Sequence, residues 1–411
     1  MNRNKVKKIL AKMKSGMRER TKEKNIEIKD NYKKKILKHK MAAVYRFLLV
    51  VVVLGILAGV VYLQYRNHIY TDYDYLTEKS INRVVNSQSV QLGDCILTYS
   101  NDGAHCTDMS GVEVWNQTYE MQSPIVQICD NVVAIGDYNG REVYVFSTTQ
   151  KICQINMTMP IKNIAVAASG RTAVEVIDGK ETWIYVYEDD GTAYFEKKTT
   201  MSQSGYPAAF SLSPNGELLA MSCIFVDAGM VKSQVAFYNL GPVGENKANF
   251  EVNAYPYQDV IIPYIKFISD DMAVAVGDDR MLFYSGDQIP TFLTLHMFDD
   301  EVQGIYQDGN HLGVIFRSGI LEMRNKMAVY DDSSEKIGTY YFNSTFHDIL
   351  FTKDYFVAYG DTECTIRTYD NIEKFAGVFD RTIDLMLPVG KGLGYKFVLV
   401  SDNTLSTIQM K

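Results

Sequence analysis

Eight copies of one strand pattern, 43 residues apart on average between Met109 and Met410, constrain this chain more than any other feature. Six copies are plain: EVYVFS, WIYVYE, QVAFYN, RMLFYS, KMAVYD and TIRTYD, with equivalent positions at Phe146, Tyr187, Tyr238, Tyr284, Tyr330 and Tyr369. HCTDM at Met109 and STIQM at Met410 are weaker copies that extend the series in both directions. A second strand type runs in phase with the first: NVVAIGD, MAVAVGD, YFVAYGD and FVLVSD. Its apolar residues do not alternate, as expected of a strand buried on both faces. Turn pairs such as Asp102-Gly103, Asn139-Gly140, Asp190-Gly191 and Asn215-Gly216 separate the strands and supply the positive φ angles of tight hairpins.

An inner strand, a buried strand, a Tyr-ended strand and an outer strand within about 40 to 45 residues make one propeller blade. The chain is therefore expected to be all-β: an eight-bladed β-propeller, with seven blades as the fallback. The last copy ends at the C-terminus with no fourth strand behind it, which would leave an open edge. Residues 77–85 (TEKSINRVV) are expected to fill that place and close the ring.

Ahead of the repeats lies an uninterrupted apolar run, Phe47 to Tyr65, bounded by Arg46 and Arg66. Its length at the helical rise matches a bilayer's hydrocarbon core, so it reads as a transmembrane helix. Residues 1–46 carry 17 Lys and Arg against 4 Asp and Glu, whereas residues 66–411 carry 25 against 45. Cationic flanks stay inside the cell, which implies a cytoplasmic N-terminus and an extracytoplasmic C-terminal part. The basic lead is far longer than that of a cleaved signal peptide, and the run ends without small residues, so it reads as an uncleaved signal anchor. The resulting map is a basic, partly helical cytoplasmic tail (1–46), the transmembrane helix (47–65), a juxtamembrane linker (66–76) and the propeller (77–411).

Two features of the N-terminal part admit both a functional and a plain reading. Val6, Leu10, Met13 and Met17 fall on one helical face among lysines, which suits contact with anionic lipid or simply a topogenic tail. Gly55 and Gly59 form one GxxxG, which permits a helix-mediated homodimer, although glycine is common in such helices anyway.

The six His are scattered with no ligand spacing, and the neighbours His105 and Cys106 would point to opposite faces of a strand, so no metal site is expected. No GxSxG, SxxK or phosphate-binding glycine loop occurs, and no catalytic or cofactor-binding residues are assigned. A quinoprotein-type oxidoreductase is disfavoured by having only Trp115 and Trp183. The acidic balance argues against nucleic acid. Acidic groups at Glu188–Asp190, Asp278–Asp279, Asp299–Glu301 and Asp331–Asp332 suit either a cation-attracting rim or solvated turns. Asp72 and Asp74 in YTDYDY read as solvating an aromatic interfacial segment. Six Cys without a CxxC suggest buried thiols, with Cys95 and Cys106 on the arms of one hairpin as the pair to test for a disulfide.

The stretches GVEVWNQTYEMQSPIV, VVAIGDYNGREVYVF, SGYPAAFSLSPNGELLAMS, VAFYNLGPVGEN and GDTECTI resemble a family of single-pass membrane proteins of Gram-positive bacteria carrying domain of unknown function 5711. The resemblance covers the helix and nearly all of the C-terminal part. It implies the topology and a propeller fold, and no activity. The function expected is a non-enzymatic, membrane-tethered binding or scaffold module for a cell-envelope protein or polymer. A cell-wall glycan-binding protein or hydrolase is the alternative.

Overall fold

The computed structural model describes residues 3–81, 83–84, 86–201, 204–227, 229–309, 311–343, 345–390 and 394–411. The chain divides into two units, Met1–His68 and Ile69–Lys411.

The first unit is one α-helix, α1 (Arg3–Asn67, 65 residues). The tail expected to be partly helical is thus continuous with the apolar run. No proline interrupts residues 1–67, and Lys, Glu, Arg and Met, all good helix formers, dominate the tail. The segment Asn31–Asn67 is long and apolar enough to cross a membrane, and its apolar side chains, among them Phe47, Leu54 and Val61, are exposed. Of the helical face expected to contact lipid, the Val6 and Leu10 side chains lie outside the described residues, while Met13 and Met17 are exposed.

The second unit consists of eight four-stranded antiparallel sheets, an eight-bladed propeller. Blade 1 spans residues 88–118, blade 2 124–156, blade 3 161–200, blade 4 206–257, blade 5 264–297, blade 6 302–342 and blade 7 348–378. Blade 8 takes three strands from residues 385–410 and its outer strand from Tyr73–Ser80. Each recurring Tyr-type motif supplies the third strand of its blade, and the four continuous apolar runs supply second strands. Val132–Ile135 and Met272–Val276 are buried at every position, because neighbouring blades cover both of their faces.

Eight separate apolar clusters hold the ring, one at each junction between adjacent blades. Leu219, Met221 and Tyr238 pack with Ala173, Ile184 and Val186 between blades 3 and 4. Phe283, Val274 and Met281 pack with Leu312, Val314 and Phe316 between blades 5 and 6. The junction of blades 8 and 1 has the smallest cluster, in which Ile96 of blade 1 meets Leu387, Val398, Val400 and Leu405.

The ring closes through the N-terminal strand, but the strand is Tyr73–Ser80 rather than 77–85. It pairs antiparallel with Thr404–Met410 in a register from Tyr73↔Met410 to Ser80↔Thr404, with a bulge between Tyr75 and Thr77. It therefore takes up Tyr73–Leu76 from the stretch assigned to a linker. Tyr73 stacks on Phe379 at 4.3 Å, and the Tyr73 hydroxyl donates to Asp380 Oδ1 at 3.0 Å. Asp72 and Asp74, expected to solvate an interfacial segment, take part in strand pairing: Asp72 exchanges backbone hydrogen bonds with Lys411, and Asp74 lies 3.3 Å from Lys411 Nζ.

Candidate functional site

In each blade, antiparallel neighbours connect at alternate ends, so the ring has two chemically different faces. Turns from inner to second strand and from third to outer strand lie at one face. Second-to-third turns and the connections between blades lie at the other.

At the first face the inner turns place Asp94, Asp130, Asp270 and Asp308 around the mouth of the central channel, a cavity of about 980 Å³. Lys266, on the inner strand Tyr264–Phe267 of blade 5, lines the same cavity as Cys129 of blade 2 and Asp308 of blade 6. Burial lowers the pKa of Lys266, and the Asp308 carboxylate opposes the shift. Burial likewise raises the pKa of Asp308, opposed by backbone hydrogen bonding and by Lys266. The Cys129 thiol is pushed up to about 11, chiefly by burial, so it stays protonated and is a poor nucleophile. The rim is stitched across blades: Asn215 N donates to Asp270 Oδ1 at 2.7 Å, and Gln307 Nε2 donates to Phe267 O at 3.0 Å. The mouth is an acidic rim, and Lys266 is the one cation among its described lining residues.

The acidic groups singled out in the sequence are largely occupied by the fold. Asp331 Oδ1 accepts from Ser333 N, Ser333 Oγ and Glu335 N, which closes the third-to-outer turn of blade 6. Asp108 does the same for Ser110 and Val112 in blade 1, and its pKa is lowered chiefly by the Val112 N–H. Asp190 receives the Thr192 N–H and hydroxyl, Glu188 pairs with Arg171 at 2.6 Å, Asp279 with Arg280 at 2.6 Å and Asp300 with Lys326 at 2.7 Å. Among the described residues no three His, Cys, Asp or Glu side chains are grouped to hold a metal.

All six cysteines are free. In blade 1 the strand register sets Cys106 opposite Leu97 and Cys95 opposite Asp108, so the two thiols are diagonal neighbours. Burial, with Cys95 beside it, pushes the Cys106 thiol up to about 12. Trp115 stacks on Phe146 at 4.3 Å with its Nε1 donating to Ser147 O, a packing role between blades 1 and 2. Gly55 and Gly59 lie on one side of α1, and a Cβ at either position would meet nothing within 4 Å.

At the second face a groove of about 590 Å³ lies beside the turn Ser318–Arg324 of blade 6. Tyr306, Met323, Arg317 and Arg324 line it, and Phe346 from the connection to blade 7 forms one wall. Neither this groove nor Lys266 was singled out in the sequence. The available signal for Lys266 was its place in IPYIKF, a charge within an inner strand.

The chain belongs to the family of unknown function DUF5711, which matches residues 66–410. None of the curated proteins compared matches it. Among solved structures it is similar to Saccharomyces cerevisiae Sqt1, at 11% identity and a TM-score of 0.51, covering 84% of this chain and 99% of that one. BamB from Moraxella catarrhalis, at 10% identity and a TM-score of 0.49, covers 82% of this chain and 100% of its own. At these identities the likeness concerns the fold alone.

Proposed function

We propose that this chain is a non-enzymatic binding or scaffold module held at the outer face of the cell membrane, where its propeller engages a cell-envelope protein. The single observation that carries the reading is the closed ring itself, stitched at all eight blade junctions and presenting two broad faces of different chemistry. A preformed surface loses little conformational entropy on binding, which is what a scaffold requires. The apolar run of α1 provides the tether, and the change from a basic tail to an acidic propeller fits an N-terminus inside and a propeller outside. Anionic lipid at the tail and self-association through Gly55 and Gly59 belong to the same proposal.

The test uses the soluble segment 69–411 with purified cell wall. Recovery in the supernatant with no sugar released is the expected result. Co-sedimentation or sugar release would replace this reading with the glycan-binding or hydrolytic one. Protease added to intact cells is expected to degrade the propeller, and full protection would overturn the orientation.

A further inference from the structure

The propeller unit contains eight arginines, and five of them hold a carboxylate within 4.0 Å. Among the described residues Arg141, Arg317 and Arg324 have no such partner, and the last two are both exposed in the blade 6 groove. Neither pairs with Glu322 of their own turn. Glu363, which feels the charge of Arg324, is already engaged, because its Oε2 accepts from Thr345 N at 2.7 Å and Thr345 Oγ1 at 2.9 Å. Two guanidinium groups with no carboxylate partner among the described residues thus line one groove, on a unit whose charge is otherwise strongly negative.

The same turn carries the most exposed aliphatic side chain among the described residues of the propeller. Leu321 is 106% exposed and Ile320 50%, although the turn itself is ordered by Ser318 N–H to Arg324 O and Met323 N–H to Ile320 O hydrogen bonds. Beneath it the groove has an aromatic wall, where Tyr306 packs edge-on against Phe346 at 5.8 Å. Exposed apolar side chains over an aromatic groove, flanked by unpaired arginines, have the composition of a protein-binding hot spot.

We propose that this groove binds an acidic, apolar peptide segment of a protein partner, its carboxylates on Arg317 and Arg324 and its apolar side chains against Tyr306, Met323 and Phe346. Charge complementarity selects the carboxylates, since guanidinium forks pair with them bidentately. The apolar wall selects a peptide over an anionic polymer, which has no side chains to place there. This inference rests on the protein-binding reading above and names the surface and ligand chemistry for it.

The test pans a phage-displayed library of random dodecapeptides against the full-length chain in nanodiscs, followed by affinity measurement on the enriched peptides. Enriched sequences are expected to carry Asp or Glu next to Leu, Ile, Met or aromatic residues. Arg317→Glu with Arg324→Glu should weaken them by about tenfold or more, and Leu321→Asp should weaken them independently. All three side chains are exposed, so an unchanged melting temperature verifies the fold of each variant. Enriched peptides without acidic residues, affinity unchanged in the double variant, or no enrichment would each overturn the proposal. Crosslinking in cells separates this outcome from the broader one. A protein partner captured equally by wild type and double variant removes the groove but keeps the protein-binding reading, whereas no partner with either chain removes that reading.

Discussion

Glu175 gives the propeller a pH dependence of predictable sign. It lies in the second strand of blade 3, is 5% exposed, and its Oε1 has no hydrogen-bond partner among the described residues. Burial raises its pKa to about 7, with Lys162 opposing the shift only in part. An unfolded glutamate titrates near about 4.3, so the folded state holds this proton more tightly than the unfolded chain does. The stabilising contribution is full below about pH 4 and is lost as pH rises through about 7. At about 1.4 kcal/mol per unit, the full loss is about 4 kcal/mol, a large part of a typical folding free energy of about 5–15 kcal/mol. Glu175→Gln keeps the shape and stays neutral, so it removes this component. Urea unfolding of residues 69–411 at pH 5 and pH 8, wild type against Glu175→Gln, isolates it because other titrating groups cancel. The wild type is expected to lose on the order of 3 kcal/mol more than the variant between the two pH values. Equal losses would refute the assignment of a neutral buried Glu175.

Deleting Tyr73–Ser80 should leave Thr404–Met410 as an open edge, so the shortened propeller is expected to lose cooperative melting or to self-associate; a monomer melting cooperatively at the wild-type temperature would contradict strand closure. Phe283→Ala, at a side chain fully buried between blades 5 and 6, should cost about 3–5 kcal/mol in a urea melt. Gly55→Leu should abolish self-association of α1 in a membrane dimerisation assay, whereas unchanged association would remove the GxxxG proposal.

The blade repeat was legible in the sequence because every third strand is read by the same environment: a neighbouring blade on each side and a bulge to the outer strand. All eight marked positions, from Met109 to Met410, lie in or directly after a third strand. The closing strand was placed four residues late because YDYLTEKS is an exposed edge whose charges obscure the Tyr73 and Tyr75 alternation. What identifies it is its pairing with Thr404–Met410, more than 300 residues away along the chain. The channel mouth escaped for the same reason. Cys129, Lys266 and Asp308 come from three blades, and no local pattern announces that a ring will bring them to one cavity. Arg317 and Arg324 were invisible for a different reason: an unpaired arginine is recognised only once the partners of the others are known. The acidic groups illustrate the converse. Asp190 and Asp331 suited either a cation-attracting rim or solvated turns, and each is the acceptor that closes its own turn.

The most direct test of the central claim is quantitative crosslinking of the full-length chain in its own cells, beside a control limited to residues 1–70. A cell-envelope protein recovered reproducibly with the full chain and absent from the control is the predicted result. Identical recoveries from both would contradict a binding role for the propeller.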